Sequence, residues 1–209
     1  MQMNMFKLVR SSILAGIAVG CGGFGLLTSG VQSAVYGSLF GSILFSFGLM
    51  TVVAYKLALY TGTAGFIRKN EIGQLFIILA GNIVGCILMG LMSRMSSLDI
   101  QGAAENLLTL RLERGPVRCA LLGIPCGFMM TTAVTFARRQ HYLPLLLAVP
   151  LFVVCGFTHC IAVAFYYSCA SVDFLSANAL EVVLVYIGIV LGNLVGCNLY
   201  RIILPDHTF

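Results

Sequence analysis

Apolar positions in this chain neither alternate nor mark one face of a helix; they run on without a break. The uninterrupted stretches read 11–29, 34–58, 72–93, 119–137, 143–169 and 181–204. A helix needs about 20 apolar residues to cross the hydrocarbon of a bilayer, so the pattern predicts six spanning helices. Polar residues collect between the runs, and most connections are short. The exception is 93–118, which holds Asp99, Glu105, Glu113 and four arginines and is expected to be a solvated or interfacial excursion. Lys7 and Arg10 ahead of the first run, with Ala18-Val19-Gly20-Cys21 inside it, loosely resemble a cleavable leader. The run continues past Cys21 and five more follow, so an uncleaved first helix is expected.

Composition supports this and removes other classes. Charged residues make up 9% and hydrophobic ones 59%, with a mean hydropathy of +1.00; ordinary soluble domains carry about 25% charged residues. The net charge of +5 is spread singly or in pairs between apolar runs, which does not make a nucleic-acid surface. Eight cysteines occur without a CxxC pair, and they read as buried free thiols, with no metal or cofactor called for.

Lys and Arg placement sets an orientation. Lys7, Arg10, Arg68, Lys69, Arg138, Arg139 and Arg201 fall on one side, which is expected to be cytoplasmic together with both termini. Arg94, Arg111, Arg114 and Arg118 fall on the other, all in the one long connection.

The chain repeats itself. Gly81-Asn82-Ile83-Val84-Gly85-Cys86 returns 111 positions later as Gly192-Asn193-Leu194-Val195-Gly196-Cys197. Three helices per half place the copies in opposite orientations, as inverted repeats of about 7–93 and 119–204 within one transmembrane unit, 1–209. Such repeats characterise transporters and channels. Gly81, Gly85, Gly192 and Gly196 belong to a wider set of glycines spaced four apart, which lets helix backbones touch where lipid supplies no hydrophobic drive.

Two spans carry breaking residues. The second ends in Leu59-Tyr60-Thr61-Gly62-Thr63-Ala64-Gly65, and the fifth contains Pro150 and Gly156 just before Phe157-Thr158-His159. Broken backbone at membrane depth survives only where it is buried in protein or lines a cavity. His159 is the one histidine inside a run, since His141 and His207 lie in a turn and the tail. An ionisable group at this depth is a functional candidate. Lys56 is the other intramembrane charge; it either snorkels to the interface or faces the pathway and gathers anions.

These residues resemble the formate/nitrite transporter family over nearly the whole chain. Phe45-Ser46-Phe47-Gly48-Leu49 and Leu59-Tyr60-Thr61-Gly62-Thr63 are similar to the family's FSxGL and LFTGN segments. Gly156-Phe157-Thr158-His159-Cys160-Ile161-Ala162 resembles GFEHSIAN, and Gly123-Ile124-Pro125-Cys126-Gly127 resembles GILCN. Both Gly-Asn-x-Val-Gly stretches resemble the family's GNxxGG helices. The resemblance implies an all-helical, aquaporin-like fold with helices 2 and 5 interrupted, assembled as a homopentamer in a bacterial inner membrane. It implies that Thr61 faces His159 at mid-membrane, with Phe45 and Phe152 in an outer constriction and Leu49 and Tyr60 in an inner one. It implies a small monovalent anion as permeant: formate, nitrite, hydrosulfide, acetate or lactate. The chain departs from the pattern at Lys56, Ala58, Gly127, Thr158 and Val163, so the resemblance leaves the choice of anion and any proton coupling open.

A bare charge is costly at low dielectric. The expected mechanism is therefore passage as the neutral acid, with His159 either relaying the proton or offering a ring N–H to the anion. A neutral-solute channel of aquaporin type is the alternative, but it would want paired Asn-Pro-Ala turns, which are missing here. A membrane enzyme or scaffold subunit is a further alternative; His159 has no carboxylate inside the spans to work with, so no enzymatic activity is expected.

Overall fold

Continuous apolar sequence becomes continuous helix because lipid offers backbone polar groups no other partner. A computed structural model describes residues 4–33, 35–68 and 71–204; Lys69 and His207 lie outside them. In chain order the helices are α1 (Met5–Gln32), α2 (Gly37–Ala54), α3 (Tyr60–Ala64), α4 (Ile72–Ser93) and α5 (Ile100–Arg138). They continue as α6 (Leu143–Val154), α7 (Cys160–Cys169), α8 (Val172–Ala177), α9 (Ala179–Cys197) and α10 (Leu199–Ile203). No strand occurs among the described residues. Helices α1, α2, α4, α5 and α9 are each long and apolar enough to cross a membrane, and the run 143–169 is divided between the shorter α6 and α7.

Glycines set how closely these helices lie. α1 packs on α4, and α5 packs on α9. A Cβ on Gly85 would collide with the Ile13 carbonyl, and one on Gly196 with the Ile124 carbonyl. A Cβ on Gly16 would strike the Asn82 carbonyl, and one on Gly127 the Asn193 carbonyl. Gly81 lies against Ser12, and Gly192 against the Ala120 carbonyl. The Gly85–Ile13 and Gly16–Asn82 contacts thus recur as Gly196–Ile124 and Gly127–Asn193, offset by 111 positions. The departure at Gly127 has a physical reason, since no side chain fits there.

Three expectations need correction. First, the solvated or interfacial excursion expected at 93–118 is not fully solvated: it has one face buried against protein and the other exposed. From Ile100 it is helical, capped by the Asp99 carboxylate accepting the Gly102 N–H at 2.8 Å. Ile100, Ala104 and Leu108 on it are buried, and the Glu105 carboxylate accepts the Ser171 N–H at 2.9 Å. Gly115, at φ 75 and ψ 170, turns this segment into the following span. Second, the break in the second run lies ahead of where the sequence put it, while that in the fifth falls at Gly156 as expected but without help from Pro150. α2 stops at Ala54, ahead of Gly62 and Gly65, so Lys56 lies in the break itself. Pro150 does not interrupt α6, although it cannot serve the Leu146 carbonyl one turn back. That carbonyl accepts the Ser46 hydroxyl at 3.4 Å instead. Third, Cys21 and Cys155 are exposed, while the other six cysteines are buried.

Both breaks turn through a left-handed residue, Lys56 at φ 52 and Gly156 at φ 68, and then run extended into a short helix. Their freed backbone groups go to two buried asparagines. Asn82 Oδ1 accepts the Tyr60 N–H at 2.9 Å, while its Nδ2 donates to the carbonyls of Ser12 at 2.8 Å and Ala58 at 2.9 Å. Asn193 Oδ1 accepts the Cys160 N–H at 2.8 Å, while its Nδ2 donates to Gly123 at 2.9 Å and Thr158 at 2.8 Å. Each amide uses one acceptor and two donors to tie a break to two full-length helices.

Asn82→Leu and Asn193→Leu each leave one N–H and one carbonyl of a break without a partner and take a second donor from a helical carbonyl. At about 1–3 kcal/mol per buried unsatisfied group, each should lose on the order of 3 kcal/mol or more. Thermal unfolding in detergent measures this, and wild-type stability in both variants would mean the breaks are held by something else.

Candidate functional site

The clamps bring the two breaks face to face. Tyr60 and Cys160 begin the short helices α3 and α7, so the residues beside them are aimed into the same space. Thr61, in the first turn of α3, places Oγ1 2.9 Å from Nε2 of His159, the residue that caps α7. Both are buried, at 0% and 2% exposure. His159 Nδ1 accepts the Ala162 N–H at 3.2 Å. An accepting Nδ1 assigns the hydrogen of the neutral ring to Nε2, which donates to Thr61 Oγ1. The Thr61 hydroxyl hydrogen is then left to point at another acceptor.

Aromatic rings close over this pair. Phe152 stacks on His159 with centroids 5.8 Å apart and planes at 22°. Phe45 meets Phe152 edge to face, with centroids 5.9 Å apart and planes at 83°. Leu49 and Tyr60 are buried in the core. Lys56 is exposed. Thr158, beside the histidine, turns its hydroxyl away to donate to the Cys119 carbonyl at 2.8 Å, which fixes the break to α5.

A cavity of about 470 Å³ leads to His159, with Phe152, Gly156, Tyr166, Asp99, Arg111 and Arg114 in its walls. Arg111 donates from one terminal nitrogen to the Leu107 carbonyl at 2.6 Å and lies 5.2 Å over the Tyr166 ring. Its Nε is buried without a hydrogen-bond partner. Arg114 donates to the Gly156 carbonyl at 3.4 Å, inside the break. On sequence grounds both arginines were only orienting charges in a loop. The available signal was the 4, 3, 3 spacing of Ala104, Leu108, Arg111 and Arg114, which puts one face of a helix against protein and carries both guanidiniums with it.

At the other side of the pair, arginines hold the chain that leaves α3. Arg138 lies 3.7 Å over the Phe66 ring, and Arg201 donates to the Ile67 carbonyl at 2.7 Å. The site is therefore a narrow buried polar pair between aromatic rings, with a cationic vestibule on one side. It offers hydrogen-bond donors and positive charge and, among the described residues and apart from Asp99 at the vestibule wall, no carboxylate.

Comparison with known proteins gives the chain's family and fold. The sequence model of the formate/nitrite transporter family matches residues 1–205. Among solved structures, a pentameric formate channel with formate bound is similar at a TM-score of 0.78 and 22% identity, over 95% of this chain and 95% of that one. An ion channel of the FNT family is similar at a TM-score of 0.79 and 19% identity, over 94% of this chain and 88% of that one. At such identities the likeness is one of fold. No curated protein matches the chain.

Proposed function

The chain belongs to the formate/nitrite transporter family, and on that premise we propose how it passes a small monovalent anion such as formate or nitrite. The anion enters the vestibule, where Arg111 and Arg114 raise its local concentration. It cannot go on as a bare charge, because the aromatic rings beyond offer no compensation for it. It takes a proton from vestibule water before or at the Phe45–Phe152 constriction, passes that constriction and the Thr61–His159 pair as the neutral acid, and returns the proton to water on the far side. The pathway lies within one protomer. We assign the vestibule to the outer face of a bacterial inner membrane, with both termini cytoplasmic, following the Lys and Arg bias. We assign a homopentamer by analogy with the pentameric formate channel that shares the fold.

The observation that carries this reading is the double engagement of His159. A proton added to Nδ1 would face the Ala162 N–H, donor against donor, and would break the cap on α7. That supports His159 as a neutral group that donates from Nε2 and orders the Thr61 hydroxyl, rather than as a proton relay. The Thr61 hydroxyl is then the donor the passing oxygen meets.

His159→Ala should leave a folded oligomer, less stable by about 1 kcal/mol for the lost cap, and should abolish or sharply alter pH-dependent formate uptake into proteoliposomes. His141→Ala, in the exposed turn, should change neither uptake nor its pH profile. Uptake and a pH profile equal to wild type in His159→Ala would remove the histidine from the mechanism.

Phe45→Ala and Phe152→Ala should each widen the constriction and let monocarboxylates larger than the wild-type limit through. A panel of labelled acids of rising chain length reads this out; an unchanged limit in both variants would mean that these rings do not line the passage.

A further inference from the structure

We infer that the vestibule is also a binding site for a small divalent oxyanion, of the sulfate or phosphate kind, which it holds and does not pass. That the bound ion blocks flux rests on the channel reading above; that it binds rests on the cavity alone. Arg111 and Arg114 are three residues apart on α5 and line one cavity of about 470 Å³. Among the described residues neither guanidinium is paired with a carboxylate. Asp99, the acid in the same wall, spends an oxygen on the Gly102 N–H as a helix cap. Arg111 Nε is buried with no partner, and the hydrogen bonds of the two groups go only to the carbonyls of Leu107 and Gly156. Each guanidinium carries five N–H donors, so most remain available.

Two like charges three residues apart repel; Asp99 keeps its charge in the same wall but ion-pairs with neither guanidinium, and a monovalent anion compensates only one of them. An oxyanion with two charges compensates both, and its several oxygens suit a pair of forked donors. The same ion is excluded from the passage beyond. A monovalent anion becomes neutral with one proton, whereas sulfate would need two and stays divalent from weakly acidic to weakly alkaline pH. It therefore rests in the vestibule and competes with the permeant.

The test uses the full chain and sodium sulfate against sodium chloride at equal ionic strength. In detergent, sulfate should raise the unfolding temperature saturably and beyond chloride, and in proteoliposomes it should inhibit formate uptake competitively. Arg114→Gln should raise the half-saturating sulfate concentration by about tenfold, and Arg114→Lys, which keeps the charge but loses the fork, by less. Equal unfolding temperatures in the two salts for the wild type would overturn the inference, as would wild-type sulfate affinity in Arg114→Gln. If Arg114→Gln does not fold, the wild-type salt comparison and the weakened affinity of Arg114→Lys still decide it. Sulfate binding to a wild-type protein that moves no formate would sink the channel reading and leave this site standing. Formate uptake indifferent to sulfate, with no sulfate-specific stabilisation, would sink this site alone.

Discussion

Backbone polar groups freed by a broken helix have no water to turn to inside hydrocarbon, and everything else in this protein depends on how two asparagines take them. Asn82 and Asn193 each satisfy one amide and two carbonyls. An asparagine can do this only if the helix that carries it lies against the break and against a second helix at once. The neighbouring glycines allow that approach. Gly16 meets the Asn82 carbonyl, Gly127 meets the Asn193 carbonyl, and Gly85 and Gly196 meet carbonyls of the facing helices one turn along. The Gly-Asn-x-Val-Gly sequence is thus one device, in which glycine brings the helices together and asparagine uses the contact.

The scaffold is two-fold and the chemistry is not. The residue before Cys160 is His159, while the residue before Tyr60 is Leu59; the residue after Tyr60 is Thr61, while the residue after Cys160 is Ile161. One half supplies an imidazole and the other a hydroxyl, and the clamps set them 2.9 Å apart. The same asymmetry appears at the turns, where Gly156 adopts a left-handed backbone freely and Lys56 adopts it at a cost of roughly 1 kcal/mol. Lys56 is held by the geometry of the break, and its exposed side chain is not part of the vestibule that leads to His159.

The spans were legible because lipid demands long unbroken apolar runs, and the pairing of Thr61 with His159 was legible through short motifs that resemble a known family. Local breakers misled. Gly62, Gly65 and Pro150 mark breaks in an isolated helix, yet here Gly65 packs against Thr131 and the Cys197 carbonyl, and Ser46 relieves Pro150. The asparagines drew no role of their own from the sequence, since what they bond lies in other helices. Arg111 and Arg114 looked solvated, because a helix with one covered face has the charge content of a loop. Tertiary contact, which composition does not record, decides each of these.

The central claim is that the two clamped breaks fix the His159 ring between the Ala162 N–H and the Thr61 hydroxyl, with its hydrogen on Nε2. Nitrogen-15 NMR of the protein labelled in histidine, with His159→Ala used to assign the resonance, tests it most directly. At neutral pH the spectrum should show a protonated Nε2 and an unprotonated, hydrogen-bond-accepting Nδ1 for His159. A proton on Nδ1, as the other tautomer or as imidazolium, would contradict it.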